Sequence, residues 1–393
     1  MGTTLIFPDG VTAESFLQFF WQRRPLLMRG ALPGIASPIS PEELAGLACE
    51  TGVESRLVRQ QSRGRPRWKV SHGPFRAATF RKLPPTHWTL LVQDVDKLVP
   101  SVTRLLERFR FLPDWRVDDV MVSYAVDQGS VGPHWDEYDV FLIQARGRRR
   151  WQIANARPSP DNVLPDEELR IMARFEPDEE WVLEPGDVLY LPPGVPHWGV
   201  AVGDCVTCSV GYRAPSHREL ASSWFEHVLE GVADDAYYRD GPMQPPAHGA
   251  EISPAAAARA VELVETLAGR SRAEIERWYG AFLTEPKPNL TVDPAEPPLT
   301  PDEFRRLFEA RGAIYRHPFS RFAYLPKEDG CDWLFVAGES YTLPKRHRTF
   351  LQTVCQWREL HFGFLAEWLG ESDCVDLLAR LYNGGHLAFD DGA

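Results

Sequence analysis

Within Gly132-Pro133-His134-Trp135-Asp136, a histidine and an aspartate stand two residues apart. Extended backbone sends residues i and i+2 to the same face. Tyr138-Asp139-Val140-Phe141-Leu142-Ile143 reads as a strand, and Gly132-Pro133 marks a turn before it. The spacing therefore predicts an imidazole and a carboxylate aimed together from a strand's start. A third group lies far along the chain: His197 closes Pro192-Pro193-Gly194-Val195-Pro196-His197, 61 residues after Asp136. Two imidazoles and one carboxylate are the facial ligand set that holds non-haem Fe(II) and leaves other coordination positions open. Either string alone carries little weight, since His-x-Asp and a histidine after a turn are ordinarily solvated. Their agreement on one ligand set is what argues for a metal centre and for a fold that brings distant strand ends to one point.

The second string adds a fold. Glu184-Pro185-Gly186-Asp187 is a turn, Val188-Leu189-Tyr190-Leu191 a short buried strand, and Pro192-Pro193-Gly194 another turn. The spacing Gly186-x5-Pro192-x-Gly194-x2-His197 resembles the second motif of cupin barrels, antiparallel structures with a ligand cavity between their sheets. After Gly147, Arg148-Arg149-Arg150 must alternate between the faces of a strand. At least one guanidinium then points inward, at a cost unless an anion meets it. A dicarboxylate that chelates the metal at one end would supply that anion, held by a two-pronged ion pair. The bland alternative for three consecutive arginines is a solvated charge run.

With these strings goes a wider resemblance. Ser55-Arg56-Leu57, Val70-Ser71-His72-Gly73-Pro74-Phe75, Leu112-Pro113-Asp114-Trp115-Arg116 and Ser209-Val210-Gly211-Tyr212-Arg213-Ala214-Pro215 join the motifs above. Together the chain resembles the JmjC-type ribosomal oxygenases. More narrowly, it is similar to the bacterial enzymes that hydroxylate an arginine on large-subunit ribosomal protein number sixteen. The resemblance implies His134, Asp136 and His197 as catalytic iron ligands, with Arg149 holding the distal carboxylate of 2-oxoglutarate and Ser123 lining that same pocket. It implies Asp119, Met121, Tyr138 and Ser209 as the grip on the target arginine. Local pattern agrees in part, because Asp119, Met121 and Ser123 alternate onto one strand face. Trp135, Glu137 and Thr207-Cys208 depart from the residues expected of this family.

Three regions follow. The fold expected is α+β: a double-stranded β-helix (cupin/JmjC) barrel over residues 1–214, a helical dimerisation region over 215–286, and a winged-helix-like domain over 287–393. The helices read at about 217–229, 255–267 and 272–283 carry apolar surfaces wider than one barrel would cover. The resemblance likewise implies a homodimer. In the last region, short strands near Ala313, Phe322, Trp333 and Tyr341 precede helices at about 346–369 and 371–383. A further helix is expected over Val102 to Phe109. The acidic, proline-bearing segment 157–181 reads as an excursion near the active-site mouth.

Composition narrows the partners. The formal net charge is −12, which disfavours direct nucleic-acid binding and suits a basic protein such as a ribosomal one. The last helix, with Glu371, Asp373 and Asp376 beside Arg380, does not read as a DNA-recognition helix. No run of eighteen apolar residues indicates a membrane span, and Met1–Ile6 lacks the pattern of a leader; a cytoplasmic location is expected. The six cysteines show no disulfide framework, and Cys205-x2-Cys208 reads as a pair of buried thiols. The chemistry expected is oxygenation with Fe(II), 2-oxoglutarate and dioxygen. The alternatives are the same chemistry on a histidine of a ribosomal protein or on another basic protein, and a non-catalytic metal-binding cupin module.

Overall fold

The computed structural model describes residues 5–61, 67–155, 158–165, 167–239, 253–328 and 330–389; most of the stretch read above for a leader lies outside them. The chain divides into two compact units, Met1–Ala214 with Pro288–Leu290, and Pro215–Lys287 with Thr291–Ala393. Among the described residues no helix is long and apolar enough to cross a membrane.

In the first unit two helices start on reciprocal caps. Thr12 and Ser15 satisfy each other's backbone N–H at α1 (Ala13–Phe19), and Ser40 and Glu43 do so at α2 (Pro41–Leu47), which has Pro41 in its first turn. Nine strands follow: β1 (Leu26–Met28), β2 (Ser55–Gln60), β3 (Trp68–His72), β4 (Trp88–Val92), β5 (Asp119–Ala125), β6 (Asp139–Ile153), β7 (Glu179–Leu183), β8 (Val188–Leu191) and β9 (His197–Tyr212). They form one antiparallel sheet in the order β1-β8-β6-β9-β5-β4-β2-β3, with β7 paired to β6. The long strands β6 and β9 pair along their lengths, with register shifts between Gln144 and Arg148. Bulges bend a strand and re-aim its side chains, and here the shift falls immediately before Arg149.

The main core of this unit, largely aliphatic, holds an aromatic cluster around Phe141. Phe141 lies 4.9 Å from both Phe109 and Tyr190 by ring centroid, and all three are fully buried. The Tyr190 hydroxyl donates to Asp139 Oδ1 (2.6 Å) and accepts from the backbone N–H of Gln22 (2.7 Å), while Gln22 Nε2 donates to Asp139 Oδ2 (3.0 Å). Burial raises the Asp139 carboxyl above its usual range, against the pull of those donors. This network anchors the start of β6, three residues after Asp136. The helix expected over Val102 to Phe109 is instead a short α-turn, Pro100–Thr103, running into a 3-10 turn, Arg104–Phe109. The tighter winding buries Leu105, Leu106 and Phe109 together.

The second unit has α3 (His217–Glu230), α4 (Pro254–Ala268), α5 (Arg272–Thr284), α6 (Pro301–Arg311), α7 (Arg348–Gln356) and α8 (Ser372–Asn383). Its strands are β10 (Ala313–Arg316), β11 (Phe322–Leu325), β12 (Cys331–Val336), β13 (Glu339–Pro344), β14 (Glu359–His361) and β15 (Leu387–Ala388), in sheets β14-β10-β15 and β11-β12-β13. A single helix over 346–369 does not form. The chain leaves α7 at Trp357, and β14 pairs with β10, setting Leu360 against Ile314, both fully buried. Burial of Leu360 through strand pairing overrides the local helical pattern.

Candidate active site

The turn-and-strand arrangement read from the sequence is present. Gly132 takes φ +83°, and a Cβ there would stand 2.8 Å from Ile171 Cδ1. Glycine is needed on both counts. His134 and His197 face each other as an isolated antiparallel bridge with reciprocal backbone hydrogen bonds of 3.0 and 2.8 Å. The Gly194 N–H donates to the Asp136 carbonyl (2.7 Å), tying the second turn to the first string. The ligand atoms of His134, Asp136 and His197 consequently lie within 4.8 Å of one another. Asp136 Oδ2 is 3.8 Å from His134 Nε2 and 3.6 Å from His197 Nε2.

The donor set suits a divalent cation. Each Nδ1 lies 2.9 Å from a carbonyl, that of Gly132 for His134 and that of Val195 for His197. A carbonyl only accepts, so each Nδ1 carries the proton and each Nε2 presents a lone pair. Burial, and secondarily the neighbouring His134, hold His197 down to about pKa 4 against the opposing pull of Asp136. It is a neutral imidazole at pH 7.

These three residues line a cavity of about 650 Å³. Arg149 lines it too and is 6% exposed, with Arg148 exposed on the opposite face. Its Nη1 donates to the hydroxyls of Ser123 and Thr207, each at 3.3 Å, and its Nε has no hydrogen-bond partner. Among the described residues no carboxylate pairs with it. Thr207 in turn donates to Gln144 Oε1 (3.2 Å), and Gln144 Nε2 donates to the Arg146 carbonyl (2.8 Å). Trp151 packs against both regions, its ring 5.9 Å from that of His197 and 5.5 Å from Arg149 Cζ. Gly199 makes room for it, since a Cβ there would lie 2.7 Å from the indole.

Met121, Tyr138 and Ser209 also line the cavity, and Met121 faces Ser209 across the β5–β9 ladder. Burial, followed by the charge of Asp136, raises the Tyr138 phenol well above 10. Asp119 does not line the cavity. Its Oδ2 accepts from the Asp94 N–H (3.0 Å), and Gln93, oriented to donate to Asp119 (3.1 Å), accepts from Arg56 Nη2 (2.8 Å). Of the departures, Trp135 Nε1 donates to Glu137 Oε1 (2.9 Å) under the guanidinium of Arg170, so these residues form part of the wall. The 157–181 segment contributes Glu168 to Ile171. Cys205 and Cys208 are fully buried thiols, and burial pushes Cys208 up to about 12. Sequence reasoning met Thr207 as a departure from the family pattern and missed Gln144 and Trp151 as parts of the site. Gln144 alone carried a signal, an amide amid Phe141-Leu142-Ile143.

Comparison with known proteins accords with this geometry. One family model, a JmjC domain, matches residues 104–220, and another, a ROXA-like winged helix, matches 264–388. The chain is 36% identical over 387 residues to the ribosomal protein uL16 3-hydroxylase of Escherichia coli (strain K12), covering 98% of each. It is 42% identical over 236 residues to a probable ribosomal oxygenase of Haemophilus influenzae, covering 59% of this chain and 55% of that one. The solved structure of YcfD, a ribosomal oxygenase from Escherichia coli, in complex with cobalt and 2-oxoglutarate matches with a TM-score of 0.80 at 36% identity, covering 98% of this chain and 99% of that one. The chain belongs to the JmjC ribosomal oxygenase family.

Proposed function

We propose that this protein is an Fe(II)- and 2-oxoglutarate-dependent dioxygenase that hydroxylates an arginine side chain of a large-subunit ribosomal protein. Arg149 carries the reading: a buried guanidinium with no acidic partner among the described residues lines the same cavity as a His-Asp-His donor set. On β9 the Arg149 partner, Ala201, stands four residues from His197, about 13 Å of strand. A long arginine side chain and a five-carbon diacid together bridge such a span. The relative solved with cobalt and 2-oxoglutarate supports the same pairing of metal and diacid.

Fe(II) held by His134, Asp136 and His197 would supply the chemistry of a 2-oxoglutarate oxygenase: 2-oxoglutarate and dioxygen consumed, succinate and carbon dioxide released, and one oxygen atom delivered to a substrate C–H bond. His134, Asp136 and His197 supply two neutral nitrogens and one carboxylate to the metal. Arg149 binds the far carboxylate of 2-oxoglutarate, with Ser123 and Thr207 fixing the guanidinium's orientation. Trp151, Val140 and Leu142 line the cavity with apolar surface that excludes water. Met121, Tyr138 and Ser209 grip the incoming arginine, and Asp119 supplies negative charge at the end of the same strand face.

The test is purified protein with Fe(II), 2-oxoglutarate and an arginine-bearing peptide of uL16. The expected result is succinate release matched by one added oxygen atom on that arginine. Release without peptide oxidation, or oxidation of a histidine in its place, overturns the substrate assignment; no release overturns the enzyme reading.

The working unit on this reading is a cytoplasmic homodimer. The helical region 215–286 exposes Phe225, Leu229, Val261 and Val264, each more than half accessible, an apolar set that supports pairing with a second copy. Light scattering that returns a monomer mass overturns this. The winged-helix region, 287–393, is not read as a DNA reader: Asp373 on α8 engages Arg346 (2.9 Å) and stands 3.7 Å from His347.

A further inference from the structure

Neighbouring strands bring one row of side chains to the cavity. Met121 on β5 faces Ser209 on β9. On the other side of β5, Gln93 follows the last residue of β4. One residue past the Val92–Val122 pair, it comes level with Met121, and its N–H donates to the Glu54 carbonyl (2.9 Å). Gln93, Met121 and Ser209 all line the cavity. Adjacent strands stand about 4.8 Å apart, so two polar side chains bracket the thioether of Met121.

The Gln93 amide is locked in one orientation. Its Oε1 accepts from Arg56 Nη2 (2.8 Å) and its Nε2 donates to Asp119 Oδ2 (3.1 Å). The flipped form would set oxygen against carboxylate and donor against donor. The bland account makes Gln93 a tie between Arg56 and Asp119. A tie uses one of two lone pairs on Oε1 and one of two hydrogens on Nε2. The others have no partner among the described residues. The side chain is only part-buried and lines the cavity, whereas Asp119 does not line it. An incoming cation therefore meets the amide oxygen before the carboxylate behind it.

We infer that Gln93 determines specificity in the hydroxylation, its Oε1 accepting a hydrogen bond from the guanidinium of the target arginine. The inference rests on the arginine reading above. A guanidinium presents five N–H donors in a flat fork, whereas a lysine ammonium is a point donor and a neutral imidazole carries one N–H. Laid over Met121, the fork meets the Ser209 hydroxyl with one arm and Gln93 with the other. Asp119 then acts through Gln93 as a positioning residue. Arg56 occupies the oxygen's other lone pair and keeps the amide from turning.

The experiment measures binding of fluorescent uL16 peptides to the full chain loaded with Fe(II) and 2-oxoglutarate, without dioxygen so that nothing turns over. One peptide carries the target arginine and a second carries alanine in its place. Wild type is expected to prefer the arginine peptide. Gln93→Met keeps the side chain's length and removes the amide. It should bind the arginine peptide at least about tenfold more weakly, the loss of one hydrogen bond to a charged group. It should bind the alanine peptide as wild type does, and the KM for 2-oxoglutarate should not move. Gln93→Asn draws the amide back by one methylene and should show the same selective loss; it carries the test if the Met variant loses its thermal transition. Equal losses for the two peptides would mark a tie that merely shapes the wall and would overturn the inference. An unchanged preference in a variant that keeps its thermal transition does the same. Wild type that binds both peptides alike overturns the substrate reading as well.

Discussion

Arg149 and Arg348 are both held against their own folded unit, but in opposite ways. Arg348 grips Asp332 with two parallel hydrogen bonds, 2.7 Å from Nε and 2.8 Å from Nη2, and also donates to the Lys327 carbonyl (2.6 Å). Arg149 has two hydroxyls at 3.3 Å, an unpartnered Nε and, among the described residues, no carboxylate. The first is complete within the fold. The second carries a buried charge that the fold alone does not compensate. A structural arginine is satisfied by its own chain, and one built for a ligand is left short by about that ligand's charge.

The largest effect separates the cavity from the C-terminal unit altogether. His197→Ala removes one of three metal donors, so peptide-coupled succinate formation should fall by at least about a thousandfold. The thermal transition of the C-terminal unit should not move. A variant that retained more than a tenth of wild-type turnover would remove His197 from the metal site.

Next comes Arg149→Met, which should raise the KM for 2-oxoglutarate about 30- to 100-fold, the worth of one charge-assisted bidentate contact. Without cosubstrate this variant should unfold no earlier than wild type, because it deletes an uncompensated charge. Arg348→Met strands the Asp332 carboxylate and should unfold several degrees earlier. Equal losses of melting temperature in the two variants would dissolve the contrast. Thr207→Val acts more gently. The guanidinium keeps Ser123 but loses one hydroxyl, so KM should rise several-fold with kcat nearly constant. A change in kcat alone would mean that Thr207 does not act through the diacid.

How much of this was legible follows the range of each interaction. The donor triad was readable because strand alternation fixes where i and i+2 point, and because the turns before His134 and His197 need glycine and proline locally. The inward choice of Arg149 over Arg148 was not readable. It depends on the register shift between Gln144 and Arg148, a property of the β6–β9 pair and not of either strand. Trp151 joins the site through that same pairing, so no local pattern announced it. The failed helix over 346–369 has the same cause in the other unit: β14 exists only because β10, more than forty residues earlier, offers it a partner.

The smallest effect tests the complete arginine from its other side. Asp332 is fully buried, and the hydrogen bonds from Arg348, helped by the Lys327 N–H, hold its carboxyl below the usual range against the cost of burial. A carboxyl whose folded pKa is depressed contributes stability that is fully present above its unfolded value, about 4. That contribution is lost as pH falls through the lower folded value. Asp332→Asn keeps the shape and removes the charge. It should lower the C-terminal unit's melting temperature by a few degrees at pH 7, leave kcat and the KM for 2-oxoglutarate unchanged, and converge on wild type below about pH 4. Were the gap instead to widen in acid, the pair would be contributing through something other than the ionised carboxylate, and Arg348 would cease to be the satisfied counterpart of Arg149.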